Sequence, residues 1–458
     1  MVSKSDGKLK FLNHACYYVQ SKNSILICDP WLEGLAFNNG WSLLDNSSSN
    51  IGTIKELLDL NKKIYIWYSH EHSDHFSISF LRELIKFNSL FTVLYQKTID
   101  KRIINFFKNK NIKTIEAING EKISIDNQLS INIWSHKNGD SFSLLSYENI
   151  KILNLNDCIV SNKKEALKIF KKINTVTNDI DILFTQFGYA NWIGNKNDNN
   201  LRLKASTEKQ NRILIQNSNF SPKIIIPYAS FISFCDKDNF YLNLEQNTPR
   251  KIKNSTLLKS INNKIFFLKP EDNINLKKYK DEFRNLEMIS KRAINYWEIL
   301  FDNAKPTTKS EKVVDINILK NESKKFLNLI NKSFFFLPAI LEFLRLIKPV
   351  SIYIKDIEKK FRYSYLTNLI ILDDGEWDIK TNSDNLLYSL RYEYGFNTLR
   401  VNGKFEVSNM NSYLNFVYFY YFQDLYKESI TFKNPVNLLK KIFQISIIFV
   451  NNILSFKI

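Results

Sequence analysis

The chain is poor in cysteine and glycine, with 4 and 11 among 458 residues. Cys16, Cys28, Cys158 and Cys235 are too few and too widely spaced for a disulfide framework in a chain of this size. That excludes a disulfide-stapled scaffold and sets the expectation of reduced thiols in the cytoplasm. The opening MVSKSDGKLKF has no apolar core of the kind a signal peptide needs. No hydrophobic run is long either. The stretch from Phe443 to Val450 falls well short of the ~20 residues of a spanning helix, so membrane contact is expected to be peripheral at most. A clustered basic run is also missing. The formal charge is +18, but the lysines are scattered, and nucleic acid is not an expected partner. Plentiful Lys, Asn and Ile beside scarce Gly and Ala fit the codon bias of an AT-rich genome.

What is present is long enough for two or three domains. From about residue 8 to 228, short β-rich runs alternate with helical ones. Ile64–Tyr68, Phe91–Tyr95, Ile131–Trp134, Ile150–Leu153 and Lys223–Ile226 read as strands. Ser77 to Phe87 and Lys163 to Lys172 repeat apolar residues at helical spacing, which together with the strands indicates a layered α/β arrangement. A helix is expected over Lys278 to Phe301, then a Pro- and Thr-containing linker from Asn303 to Glu311. Residues 314 to 346 read as helices. Val350 to Ile354, Phe361 to Leu372 and Thr398 to Val407 read as strands, with a helix over Asp384 to Tyr394. The expected division is a metal-binding domain over 1–270, a helix and linker over 271–312, and an α+β accessory domain over 313–458.

All five histidines lie within the first 136 positions, and three share one hexad, His70-Glu71-His72-Ser73-Asp74-His75. The hexad follows the Ile64–Tyr68 strand after a single residue and precedes a helix, so it occupies a loop on a rigid base. His70 and His72 can reach one side of that loop while Asp74 and His75 turn to the other, making two adjacent metal positions. Imidazole and carboxylate donors suit zinc or iron. His136 and Asp157 each stand just past a strand end. His136 can complete a three-histidine site with His70 and His72, or be a plain surface residue. Asp157 can bridge to the position of Asp74 and His75, or be a turn carboxylate. His14 reads as a packing residue or a group that supports a ligand from behind, and Asp29, before Pro30 and Trp31, as a turn former or a similar support.

These residues resemble the metallo-β-lactamase fold superfamily, which carries HxHxDH, a later His, a bridging Asp and a final His. Three segments, His14-Ala15-Cys16, Asp29-Pro30-Trp31-Leu32 and Gly34 to Trp41, are similar to the corresponding part of CMP-N-acetylneuraminate hydroxylases and their bacterial relatives. So are Asn156-Asp157-Cys158, Phe184 to Trp192 and Ile226 to Phe231, and the likeness covers roughly residues 8 to 245. The resemblance implies an α+β fold, an αββα sandwich with the metals at one sheet edge. It implies His70, His72 and His136 on one metal, Asp74 and His75 on the other, and Asp157 as the bridge, with Asp74 and Asp157 the catalytic carboxylates. Where the final His is expected, after Ser230 to Cys235, this chain has Asp236. Asp236 is then either an oxygen ligand that hardens the second site, or a sign that the site is weak or empty. Leu386 to Val407 faintly resembles sterol-carrier-like accessory domains; the alternative is an unrelated α+β domain that completes the pocket or forms a homodimer.

The expected function is a metallo-hydrolase with one or two divalent ions, zinc or iron, using metal-bound hydroxide on a small anionic ester, lactone or phosphodiester, a sugar or nucleotide sugar among them. The alternative is an iron-dependent oxygenase that hydroxylates a CMP-sialate-like sugar nucleotide. The paired Cys and His ligands of a Rieske cluster are missing, so such an oxygenase would need a separate reductase.

Overall fold

Along Lys8–Asn13, Cys16–Gln20 and Ser24–Cys28 most side chains are buried, and strand alternation sorts them into two cores. Phe11, Tyr17, Val19, Leu26 and Cys28 enter one core, while Leu12, Cys16, Tyr18, Ile25 and Ile27 enter the other. A sheet that is apolar on both faces must be covered on both. The computed structural model, which describes residues 7–98, 101–279, 281, 283–307, 312–372, 376–432 and 435–436, shows how.

Those strands belong to a seven-stranded sheet in the order Asn273–Asn275, Lys8–Asn13, Cys16–Gln20, Ser24–Cys28, Lys63–Tyr68, Phe91–Gln96, Thr114–Ala117. The last four run parallel. Parallel neighbours need crossovers, and helices Ile51–Leu58, Ile78–Leu84 and Arg102–Asn109 lie between successive strands. They press Ile54, Leu57, Phe80, Leu81, Leu84, Ile104 and Phe107 onto the outer face. The inner face shares its core with a six-stranded sheet ordered Ile224–Tyr228, Ile182–Gln186, Ile150–Asn154, Ser141–Tyr147, Leu129–Ser135, Lys122–Ser124. Helices Lys163–Ile173 and Asn199–Phe220 add Ala166, Ile169, Ile173, Ile213 and Phe220 to that core. The result is the αββα sandwich that the resemblance implies. Each large apolar side chain it buries contributes about 1.5–3 kcal/mol.

The five strands expected before residue 228 and the helices expected over Ser77 to Phe87 and Lys163 to Lys172 lie where the periodicity puts them, whereas the single strand expected over Phe361 to Leu372 is a hairpin of Lys359–Ser364 and Asn368–Leu372. The helix Asn199–Phe220 was not foreseen: its buried positions include Arg202, Ser206, Lys209 and Gln216, so no apolar stripe announces it. The chain divides into two compact units at Thr307, within the helix and linker expected over 271–312, and the helix of that segment belongs to the first unit. The reason is pairing and packing. Asn273–Asn275 joins the first sheet beside Lys8–Lys10, and the helix Phe283–Asn303 buries Trp297 in stacked contact with Phe231 at 3.9 Å between ring centres.

The second unit has a five-stranded sheet ordered Asn368–Leu372, Lys359–Ser364, Val350–Ile354, Ile379–Thr381, Phe405–Val407. Helices Ile316–Ser333, Leu337–Phe343, Ser383–Arg391, Gly395–Asn402 and Met410–Lys427 complete an α+β unit. The expected strand over Thr398 to Val407 is corrected: the chain stays helical to Asn402, turns at Gly403 with φ 67°, and becomes a strand only at Phe405. Burial of Phe396 and Leu399, one helical turn apart, outweighs the β-branched Thr398 between them. Gly395 opens this helix because a Cβ there would meet Tyr388 O at 2.5 Å and Ser389 Cα at 2.6 Å. The run Phe443 to Val450 and residues 308–311 of the expected linker lie outside the described residues.

Candidate metal centre

The hexad loop is fixed at both ends. At its start, the Ser69 amide donates to Asp29 Oδ1 at 2.7 Å, while Ser69 O accepts from Ser141 Oγ at 2.6 Å and Gln96 Nε2 at 3.2 Å. At its end, the His75 and Phe76 amides turn back onto His72 O, and Ser77 caps the next helix through the Phe80 amide. The loop therefore presents its side chains from a rigid base.

Two groups of potential ligands result. In one, His70, His72 and Asp157 bring a donor atom each within 4.8 Å of one another, and His70 Nε2 lies 3.0 Å from His72 Nδ1. In the other, His14, Asp74 and His75 do the same, with Asp74 Oδ2 at 3.3 Å from both His14 Nε2 and His75 Nε2. Asp157 Oδ2 faces both groups, 3.9 Å from His70 Nε2 and 3.5 Å from His75 Nε2. Asn156, in the left-handed region at φ 52°, turns the chain sharply after strand Ile150–Asn154 and aims Asp157 there.

Asp29 sits behind the second group, fully buried. Its Oδ2 lies 3.1 Å from His75 Nδ1 and accepts from Asn156 Nδ2 at 2.9 Å. A carboxylate on Nδ1 fixes the ring so that Nε2 points into the cluster. Burial, then the neighbouring His75 and His72, hold His70 well below the usual imidazole range, so it is neutral with a lone pair to give. Burial opposes ionisation of Asp157, but His75 and His70 outweigh it and hold the carboxyl at about 2. His75 moves the other way. Burial disfavours its charge, yet Asp74 and Asp157 raise it well above the usual range, so without a cation the imidazolium balances the carboxylates. Asp74 Oδ1 is buried and has no hydrogen-bond partner among the described residues. An orphaned carboxylate oxygen among nitrogen donors fits a divalent cation.

Two expected ligands stand elsewhere. His136 follows strand Leu129–Ser135 with Nε2 at 3.3 Å from Ile159 O, and it joins neither group. Asp236 also joins neither: its Oδ1 accepts from the Asp238 amide at 3.0 Å and its carbonyl caps the turn at Asn239 and Phe240. In place of a final histidine, the structure brings up His14. That residue sits at φ 36° in the turn between the first two strands, and its carbonyl accepts from the Ala229 amide at 2.9 Å.

One residue escaped the sequence reading altogether. Lys209, on the unforeseen helix, donates to Gln186 Oε1, and Gln186 Nε2 donates to Asp157 Oδ1 at 3.0 Å. The ammonium can only donate, so it dictates which end of the Gln186 amide faces Asp157. Burial pulls Lys209 down to about 7. Nearby, Tyr189 hydrogen-bonds Leu242 O and Tyr228 gives its hydroxyl to Asn154 Oδ1 at 2.5 Å, both as buried packing residues.

No family model matches the chain. Among curated proteins it is 25% identical over 267 residues to the cytidine monophosphate-N-acetylneuraminic acid hydroxylase of Danio rerio, covering 52% of this chain and 40% of that protein. It is 28% identical over 162 residues to the same-named protein of Xenopus laevis, covering 34% of this chain and 26% of the other. The chain thus spans less than half the length of these relatives. Among solved structures, the metallo-β-lactamase fold protein YhfI from Bacillus subtilis aligns with TM-score 0.30 and 12% identity over 49% of this chain and 98% of its own. In its sandwich and its HxHxDH loop the chain is similar to metallo-β-lactamase fold proteins and, in sequence, to the CMP-N-acetylneuraminic acid hydroxylases.

Proposed function

We propose that this protein is a two-metal hydrolase acting on a small anionic ester, lactone or phosphodiester. One observation carries the reading: two three-donor groups face each other across a single carboxylate oxygen, Asp157 Oδ2. Two divalent cations held there would lower the pKa of a shared water and stabilise negative charge developing on a substrate oxygen. His70, His72 and Asp157 would hold one; His14, Asp74 and His75 the other. The chain's own part is preorganisation. Asp29 keeps His75 Nε2 turned inward, and Lys209 through Gln186 keeps Asp157 Oδ2 turned towards both groups. His70 is already neutral, whereas His75 must shed a proton when metal enters.

A second reading, an iron-dependent oxygenase with a separate electron donor, is favoured by the similarity to CMP-N-acetylneuraminic acid hydroxylases and by a donor set free of thiolate that suits iron as well as zinc. The deciding experiment is metal identity and stoichiometry on anaerobically purified full-length protein, followed by an ester, lactone and phosphodiester panel and by oxygen uptake with CMP-sialic acid. Zinc with hydrolysis supports the first reading. Iron with substrate-dependent oxygen uptake and no hydrolysis replaces it with the second, and a protein that binds no metal refutes both.

A further inference from the structure

In the second unit, the helix Ile316–Ser333 meets the short helix Leu337–Phe343 at a 97° bend. One side of the bend is anchored: Phe334 is fully buried, with its ring 5.0 Å from that of Phe422, and Pro338 is buried beside it. The other side is exposed, although Phe335 meets the ring of Phe432 edge-on at 5.4 Å between ring centres. Phe335, Phe336, Ile340, Phe343, Leu344 and Leu346 are all exposed, from 50% at Ile340 to 74% at Phe343. Six large apolar side chains exposed within twelve residues form a patch of the kind that marks an interaction surface. Phe335 and Phe336 both sit in the left-handed region, at φ 46° and 58°, a conformation unfavourable to any side chain with a Cβ.

Along the segment that carries the patch the exposed charge has one sign, apart from the Lys325–Glu322 pair at 3.2 Å where it begins. Between Ser323 and Val350 the exposed charged side chains are Lys324, Lys325, Lys332, Arg345 and Lys348. The one acid in this stretch, Glu342, is buried and accepts from Ser364 Oγ at 2.5 Å and the Tyr365 amide at 2.6 Å. Aromatic and aliphatic side chains framed by lysine and arginine suit an anionic lipid surface, where the apolar groups enter at the headgroup level and the cations meet phosphates. A second copy of the chain fits less well, because a two-fold contact would set this basic frame against itself. Among the described residues no single helix is long and apolar enough to cross a membrane; these two helices together reach the needed length and composition, but Leu319, Phe326, Leu327 and Ile330 are buried inside the unit, which leaves the exposed face to lie on a membrane rather than the pair to cross one.

We propose that this face of the second unit docks the protein onto anionic membrane surfaces. Phe335, Phe336 and Phe343 enter the interface, while Lys332, Arg345 and Lys348 bind headgroups. The test is co-sedimentation of the full chain with vesicles of phosphatidylcholine alone and of phosphatidylcholine mixed with phosphatidylserine. The wild type binds the anionic vesicles, and salt weakens the binding. Phe335→Ser with Phe343→Ser lowers it at least about tenfold, and Lys332→Glu lowers it about fivefold or more on anionic vesicles only. Should the double variant fold poorly by circular dichroism, Phe343→Trp replaces it, and its emission must shift to the blue on vesicle addition. Absence of binding to either vesicle, binding indifferent to these substitutions, or a dimer that the same substitutions dissolve would each overturn the proposal.

Discussion

Replacing Lys209 by methionine removes a charge that the fold has taken out of water. The side chain is 8% exposed, and burial lowers its pKa from 10.5 to about 7. A base whose folded pKa lies below its unfolded one destabilises the fold while it is protonated. The cost is fully present below about pH 7 and fades towards about pH 10.5, where the unfolded chain also sheds its proton. At about 1.36 kcal/mol per unit, the full cost is at most about 5 kcal/mol, and about 3 kcal/mol of it is relieved between pH 7 and about pH 9.5. Against this, the variant leaves Gln186 Oε1 without its donor, a loss of about 1–3 kcal/mol at every pH. Lys209→Met is therefore expected to be about 2–4 kcal/mol more stable than wild type near pH 6.5, and close to it or less stable near pH 10. Urea unfolding of metal-stripped protein, followed by tryptophan fluorescence, reads the first unit, since six of the seven tryptophans precede Thr307. Comparing the two proteins at each pH cancels the titration of the other buried groups. A variant less stable near pH 6.5, or an advantage that does not shrink as pH rises, would refute the reasoning.

Three further outcomes follow from the same geometry. His14→Ala should lose one metal equivalent while Asp236→Ala keeps its full content, read by metal analysis after dialysis; the reverse pattern would return the final ligand to Asp236. Asp29→Asn should weaken metal binding about 10–100-fold, measured by competition with a chelator, because His75 loses the carboxylate that fixes its ring; unchanged affinity would show that the ring is held by packing alone. Gly395→Ala should destabilise the second unit by about 1–3 kcal/mol in thermal unfolding, since the added methyl meets the backbone of Tyr388 and Ser389 rather than a side chain that could move; a neutral substitution would mean that the two helices can separate freely.

Most of the sandwich could be read from the chain because its strands carry the information locally. Ile64–Tyr68 and Phe91–Tyr95 are apolar runs of strand length, and a parallel sheet buried on both faces asks for little else. Asn199–Phe220 could not be read in this way. Its inward face carries Arg202, Ser206, Lys209 and Gln216, and two of them find their partners far along the chain: Ser206 donates to the carbonyl of Glu245 and Lys209 to Gln186 Oε1. Periodicity detects burial only when the buried side chains are apolar. A helix held by long-range hydrogen bonds looks like a solvated one until the fold supplies the other half of each bond.

The same limit applies to the candidate centre. Four of the grouped side chains come from one hexad and needed no fold to be noticed, but the contributions of the other elements turn on direction. His136 and Asp236 stand at strand ends, where a ligand would be sought, yet a strand end fixes where a side chain starts and not where it points. His136 points to Ile159 O and Asp236 into its own turn. His14 and Asp157 do converge, and both depend on left-handed backbone, at His14 itself and at Asn156 just before Asp157. Such a turn is stabilised by its surroundings rather than by its own sequence: the His14 carbonyl is held by the Ala229 amide, and the Asn156 side chain by Asp29. Asp29 is thereby the residue on which both groups depend. One of its oxygens anchors the hexad through Ser69, and the other orients His75 and ties down the Asn156 turn that aims Asp157. A carboxylate that touches no shared donor atom can still set the spacing between the two groups, because it is bonded to the loops on which both are built.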